Sequence, residues 1–130
     1  MNVRFMDLDA LNHVNNARYL NFLEEARIAY SQEMLDVFKN FKDLNVVVAR
    51  IEIDYIRPIL SHEKIKILSR IKSMGKKSFT FDSLICIKKE DELKIAVKAI
   101  QVIVAFNPKT KKSIEIPIEM ANRIKQIEKL

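Results

Sequence analysis

A single cysteine, a single glycine and three prolines stand among 130 residues, and each scarcity removes a class of protein. Cys86 alone cannot close an intrachain disulfide. It falls in the apolar run Leu84-Ile85-Cys86-Ile87, where a thiol acts as a small hydrophobe, so a reducing, cytoplasmic setting is expected. So little glycine and proline excludes collagen-like, low-complexity and linker-rich chains. Long apolar runs are missing as well. The longest, Ala99 to Phe106, is broken by Gln101 and falls short of the roughly 20 residues that cross a bilayer. Arg4, Asp7 and Asp9 leave no room for a signal-peptide core at the amino terminus. A membrane-inserted or exported protein is not expected.

What is present describes a globular chain of one domain, residues 1–130, with 48% apolar and 31% charged residues. The net charge of +6 suits an anionic partner: nucleic acid, an anionic membrane surface or a phosphorylated carrier. Of the 23 basic residues 16 are lysines, scattered with only short pairs such as Lys76-Lys77, Lys88-Lys89 and Lys111-Lys112, as on a solvated surface. Single-strand binding needs a clustered basic face with stacking aromatics, and the ten aromatic residues lie mostly in apolar runs. Nucleic acid is therefore not the expected partner.

Tyr19, Phe22, Leu23, Ala26, Ala29 and Tyr30 recur at three-and-four spacing and predict an amphipathic helix from Asn16 to about Phe38, with Asn15 or Asn16 as N-cap. After Lys39-Asn40 the period falls to two. Strands are predicted from Val46 to Tyr55, Lys64 to Ser73, Ser78 to Lys88 and Lys94 to Phe106. The turns Met74-Gly75-Lys76 and Lys89-Glu90-Asp91-Glu92 are of hairpin length, so the sheet is expected to be antiparallel. Pro117 suits the first turn of a closing helix carrying Ile118, Ala121, Ile124 and Ile127. With a short strand before the first helix, the expectation is an α+β domain of about five strands curling around one long helix, with a short C-terminal helix.

The segment Val3-Arg4-Phe5-Met6-Asp7-Leu8-Asp9-Ala10-Leu11-Asn12-His13-Val14-Asn15-Asn16-Ala17-Arg18-Tyr19, continuing to Glu24-Glu25-Ala26-Arg27, resembles the signature of hotdog-fold acyl-CoA thioesterases. Those relatives include the 4-hydroxybenzoyl-CoA type, the long-chain acyl-CoA type and the plant acyl-carrier-protein type. Ile53-Asp54-Tyr55-Ile56-Arg57-Pro58 and Met74-Gly75-Lys76-Lys77-Ser78-Phe79 are weaker echoes, in the family's order. Two departures stand out. The hydroxybenzoyl type has glycine where this chain has Asn12, and its aromatic-rich turn is replaced by Asn15-Asn16, which points away from aromatic substrates. The plant pattern places an asparagine two residues after the aspartate, where this chain has Leu11.

The resemblance implies hydrolysis of aliphatic acyl thioesters, with coenzyme A as part of the substrate and no separate cofactor, in a homodimer or homotetramer with sites between subunits. It places catalysis on Asp9, Asn12, His13 and Val14, and substrate contacts on Asn15, Asn16, Tyr19, Glu24, Arg57, Lys76 and Lys77. Thioester hydrolysis needs an oxygen nucleophile, a base and donors for the developing oxyanion. Asp9, ionised at neutral pH, fits as nucleophile or as base for a water. A helix start near Asn16 fits as oxyanion donor. His13 fits as a group that orients the carbonyl or protonates the leaving thiolate, and Arg57, Lys76 and Lys77 as phosphate contacts.

Other readings of the same residues remain open. An Asp-x-Asp pair before an asparagine-rich turn also serves simply to bond turn amides. Asp7, Asp9 and His13 lack the further oxygens that a hard-cation site needs, so no metal is expected. Glu24 and Arg27 also read as a solvated or ion-paired helix face, and Tyr19 as core. The alternatives to an acyl-CoA thioesterase are hydrolysis of acyl-carrier-protein thioesters and non-catalytic acyl-thioester binding.

Overall fold

The structure is a computed structural model that describes residues 2–34 and 45–129. It is an α+β arrangement with an antiparallel sheet. The strands are β1 (Asn45–Tyr55), β2 (Lys64–Met74), β3 (Ser78–Lys89), β4 (Glu92–Asn107) and the two-residue β5 (Lys112–Ser113). The spatial order is β1-β4-β3-β2, and β5 folds back on the end of β4. Hairpins join β2 to β3 and β3 to β4. Gly75 donates its amide to the Ser78 carbonyl at 2.8 Å in the first turn, and Glu90 takes a left-handed φ of 52° in the second.

Side-chain alternation decides which face is covered. Phe79, Phe81, Ser83, Ile85 and Ile87 of β3 are all buried, and so are Val97, Ala99, Gln101, Ile103 and Ala105 of β4. Helix α1 (Arg18–Ser31), continued by a 3₁₀ turn at Gln32–Met34, packs Tyr19, Phe22 and Leu23 against that face. This apolar stripe is what its three-and-four spacing encodes. Around it lie Val14, Ile59, Ile65, Ile85 and Val97. A second cluster joins Met34, Ile71, Phe79, Phe81 and Ile103 to Met120 and Ile124 of the closing helix α2 (Ile118–Glu128). Glu128 fastens α2 in place, accepting hydrogen bonds from the Tyr30 hydroxyl at 2.7 Å and the Ile71 amide at 2.6 Å.

Three details differ from the expectation. The strand expected before α1 is reduced to one bridge between Asn2 and Lys64, followed by a 3₁₀ turn at Phe5–Asp7. An ion pair between Arg4 and Asp7, three residues apart, holds that turn closed where a strand would carry the two apart. Neither Asn15 nor Asn16 is the N-cap of α1. Ala17 takes that place without a side-chain hydrogen bond, and the Asn15 side chain instead accepts the Ala17 amide at 3.0 Å. Pro117 stands just before α2 rather than inside its first turn. The expected end of the first helix near Phe38 lies outside the described residues.

β1 forms one border of the sheet. It pairs only with β4, and of its 11 residues only Val46, Ile51 and Ile53 are even half-buried. Its other edge carries no strand among the described residues.

Candidate active site

The loop between the 3₁₀ turn and α1 is built on two carboxylates with opposite surroundings. Asp7 is fully buried. Its carboxylate accepts the Arg4 amide at 2.8 Å and the Arg4 guanidinium at 3.2 and 3.4 Å, with the Arg18 guanidinium 4.0 Å away. Burial pushes the Asp7 carboxyl up, but the Arg4 hydrogen bonds and the charges of Arg4 and Arg18 outweigh it and hold the group below the usual carboxylate range. Its carbonyl accepts the Asn15 amide at 2.7 Å, so Asp7 ties the beginning of the loop to its end.

Asp9, two residues on, is exposed. One carboxylate oxygen, Oδ1, accepts the amides of Leu11 at 2.9 Å and His13 at 3.1 Å. Its own amide donates to the His13 carbonyl at 2.7 Å, and its carbonyl accepts the Asn12 amide at 3.1 Å. The turn bonding that an Asp-x-Asp pair suggests is therefore real. It occupies Oδ1, while Oδ2, on this exposed residue, has no hydrogen-bond partner among the described residues. One carboxylate is thus fixed in orientation and still has an oxygen free to act.

Asn12 explains a departure from the family pattern. Its φ is +59°, the left-handed region that glycine enters freely and asparagine tolerates better than other side chains do. Its amide is spent inside the turn, so what Asn12 supplies is shape. The role expected of Val14 changes too: it is buried, and its amide donates to the Ile59 carbonyl at 2.9 Å, so within this chain it offers a substrate neither side chain nor donor. That bond and the bridge between His13 and Leu60 clamp the loop to the segment after β1. The His13 ring makes no hydrogen bond among the described residues.

Asn15 spends its amide on Asp7 and its side chain on Ala17. Asn16 is exposed. Its carbonyl accepts the Tyr55 hydroxyl at 3.3 Å, and its amide has no partner among the described residues. At the start of α1 the Ala17 and Arg18 amides donate to the Asn15 side chain and carbonyl, so the Asn16 amide is the one left without a partner there among the described residues. Tyr19 is core: it is buried, edge-on to Tyr55 with ring centroids 5.2 Å apart and to Phe22 at 6.3 Å. Burial pushes its phenol pKa up, and the charges of Asp9 and Glu63 push the same way.

The more distant expected residues divide between the two ends of the sheet. Arg57 is exposed just past Tyr55, at the loop's end, where its amide bonds the Ala96 carbonyl at 3.2 Å. Lys76 and Lys77 sit in the turn after β2, beside the pairing of Ser78 with Val104. This is the opposite end, so a single chain does not bring them to Asp9. Glu24 is exposed on α1 and lines a cleft between α1 and β1. The sequence alone does not single out Tyr55, although it stands in the motif Ile53-Asp54-Tyr55-Ile56-Arg57-Pro58. Only its place beside Asn16 gives it a part in the site. Among the described residues no three His, Cys, Asp or Glu side chains cluster as metal ligands, and no helix is long and apolar enough to cross a membrane.

A family model described as the thioesterase-like superfamily matches residues 3–124. The long-chain acyl-CoA thioesterase FadM of Escherichia coli (strain K12) is 33% identical over 129 residues, covering 98% of this chain and 96% of that protein. The uncharacterized protein YsmA of Bacillus subtilis (strain 168) is 31% identical over 84 residues, 65% of this chain and 56% of its own. A crystal structure of a thioesterase from Thermus thermophilus, complexed with coenzyme A and zinc, superposes with a TM-score of 0.85 at 33% identity, over 100% of this chain and 92% of that one.

Proposed function

The chain belongs to the thioesterase-like superfamily and is a thioester hydrolase of the hotdog type, and we propose that it cleaves aliphatic acyl-CoA thioesters with Asp9 as nucleophile or general base. The observation that carries this reading is the Asp9 carboxylate, held by two amides through one oxygen and open through the other. Oδ2 attacks the thioester carbonyl to form a mixed anhydride that water then opens, or it takes a proton from a water that itself attacks the carbonyl. The thiolate leaves, and the carbonyl oxygen finds a donor in the Asn16 amide. In this reading His13, on the same loop, protonates the leaving thiolate. The likeness to a long-chain acyl-CoA thioesterase and to a thioesterase holding coenzyme A favours coenzyme A as the carrier. An acyl carrier protein is the second reading.

An exposed Asp9 needs something to exclude water, and the bare edge of β1 suggests what does so. An 11-residue edge with Val47, Val48 and Tyr55 exposed invites pairing with a second copy of the chain. In our reading two β1 strands pair antiparallel across a two-fold axis. The sheets then join, α1 becomes the helix that the continuous sheet wraps, and the partner's Lys76-Lys77 end swings toward Asp9. Coenzyme A phosphates then meet Arg57 from one subunit and the lysine pair from the other.

The test is release of free thiol from saturated acyl-CoA substrates of increasing chain length, with the mass of the enzyme in solution measured alongside. Turnover of at least one aliphatic length by a dimer or tetramer is expected. No hydrolysis at any length, or a monomer that is fully active, removes the reading.

A further inference from the structure

The covered face of the sheet is apolar except for one row. Gln101 and Ser83 are buried to within 1% of full coverage between the two apolar clusters. The Gln101 amide donates to Ser83 Oγ at 2.9 Å, and Ser83 Oγ lies 2.8 Å from Ser69 Oγ. From α1 above, the half-buried Arg27 donates to the Gln101 side-chain oxygen. This is the guanidinium's one hydrogen bond among the described residues, and no carboxylate among them lies within ion-pair distance of it. Taking a cation out of water against a neutral amide alone is costly, and burial accordingly lowers the Arg27 pKa, opposed only by the charge of Glu24.

Arg27 and Glu24 line a cleft of about 260 Å³ between α1 and β1. Its other walls include Met34, Val46, Val48, Phe81 and Ile103. The cleft is therefore largely apolar and carries one cation and one anion three residues apart on α1, while the Tyr30 and Ser31 hydroxyls that also line it donate to Glu128 and to the Ile28 carbonyl. A guanidinium has five N–H donors, and four remain after the bond to Gln101. Glu24, ionised, only accepts. A carboxylate placed between them would meet Glu24 as a like charge, and a methylene would leave Arg27 unpaired. A hydroxyl answers both, accepting from Arg27 and donating to Glu24. The Tyr55–Asn16 contact stands at the other end of α1 and β1, beside the Asp9 loop. From Ala17 to Arg27 the helix rises roughly 15 Å, so the polar pair stands well away from the reacting carbonyl.

Resting on the thioesterase reading above, we infer that the α1–β1 cleft holds the acyl chain and that Arg27 with Glu24 recognises a hydroxyl carried far from the thioester. The substrate class is then the distally hydroxylated acyl thioesters, and Arg27 is a specificity-determining residue for them.

The experiment compares dodecanoyl-CoA with ω-hydroxydodecanoyl-CoA by kcat/KM in the wild type, Arg27→Met and Arg27→Lys. Calorimetric binding of the two free acids to the same proteins runs in parallel and needs no turnover. The wild type should favour the hydroxylated chain about tenfold in both assays, the net effect of roughly one hydrogen bond. Arg27→Met should bring the ratio of the two chains near one, and Arg27→Lys should fall between. Hydroxyl-selective binding without hydrolysis upholds this inference and removes the thioesterase reading. Equal treatment of the two chains by the wild type, or a ratio untouched by Arg27→Met, overturns it. So does a change of oligomeric mass in Arg27→Met, which would assign the guanidinium to a second copy of the chain.

Discussion

Asp7 and Asp9 are the same residue two positions apart, and they do opposite work. Asp7 is sealed in, held by Arg4 and approached by Arg18, and its charge closes the loop. Asp9 stands in solvent with one oxygen tethered and one without a partner among the described residues. A carboxylate fully committed to its own chain stabilises, whereas one half committed is aimed. In this loop structural and chemical duty are divided between neighbours, and the neighbour that looks less important by burial is the one open to a substrate.

The division can be broken from the Asp7 side. Asp7→Asn keeps the shape but loses charge-assisted bonds to Arg4, which should cost about 1.5–3 kcal/mol of stability. Thermal unfolding reads it as a drop in Tm, and an unchanged Tm would mean that Asp7 is merely buried. The same contact sets an acid limb. Because the folded Asp7 pKa lies below its unfolded value, its stabilisation is present above the unfolded pKa and is lost as pH falls through the folded one. Tm of the wild type should therefore fall on acidification below about pH 4, and Asp7→Asn should flatten that part of the fall.

The coarse fold was legible from sequence. Runs such as Ser78 to Lys88 and the stripe Tyr19, Phe22 and Leu23 encode their faces locally, and the observed elements follow them closely. The missed pieces depend on contacts between distant residues. Arg4 sits three residues before Asp7 and five before Asp9, so spacing alone does not choose between them; Asp7's second cation, Arg18, comes from α1. The first strand gave way to a turn through the Arg4–Asp7 pair, and β5 is too short to show a period. Resemblance marked the loop as the site. It did not reveal that Val14 is clamped, that Tyr55 meets Asn16, or that Lys76 and Lys77 lie at the far end of the sheet.

Smaller substitutions sharpen the Asp9 side. Asn12→Ala forces a less tolerant residue to φ of +59° and should cost about 1–2 kcal/mol, with turnover falling as the turn that orients Asp9 loosens. Asn12→Gly should keep both stability and turnover near wild type. If alanine and glycine behave alike, the turn's geometry does not orient Asp9. Tyr55→Phe removes one partly exposed hydrogen bond to Asn16 and should cost only about 0.5 kcal/mol. Its signature would be a modest loss of kcat with KM nearly unchanged, and a loss confined to KM would place Tyr55 in binding instead.

The most direct measurement is kcat for release of free thiol from an acyl-CoA by Asp9→Asn, with Tm taken on the same preparation. An amide can still accept the Leu11 and His13 amides through its oxygen but can neither attack nor take a proton, so kcat should fall about 10²- to 10⁴-fold with Tm little changed. A variant that keeps wild-type turnover, or that loses activity only in step with its fold, would contradict the account.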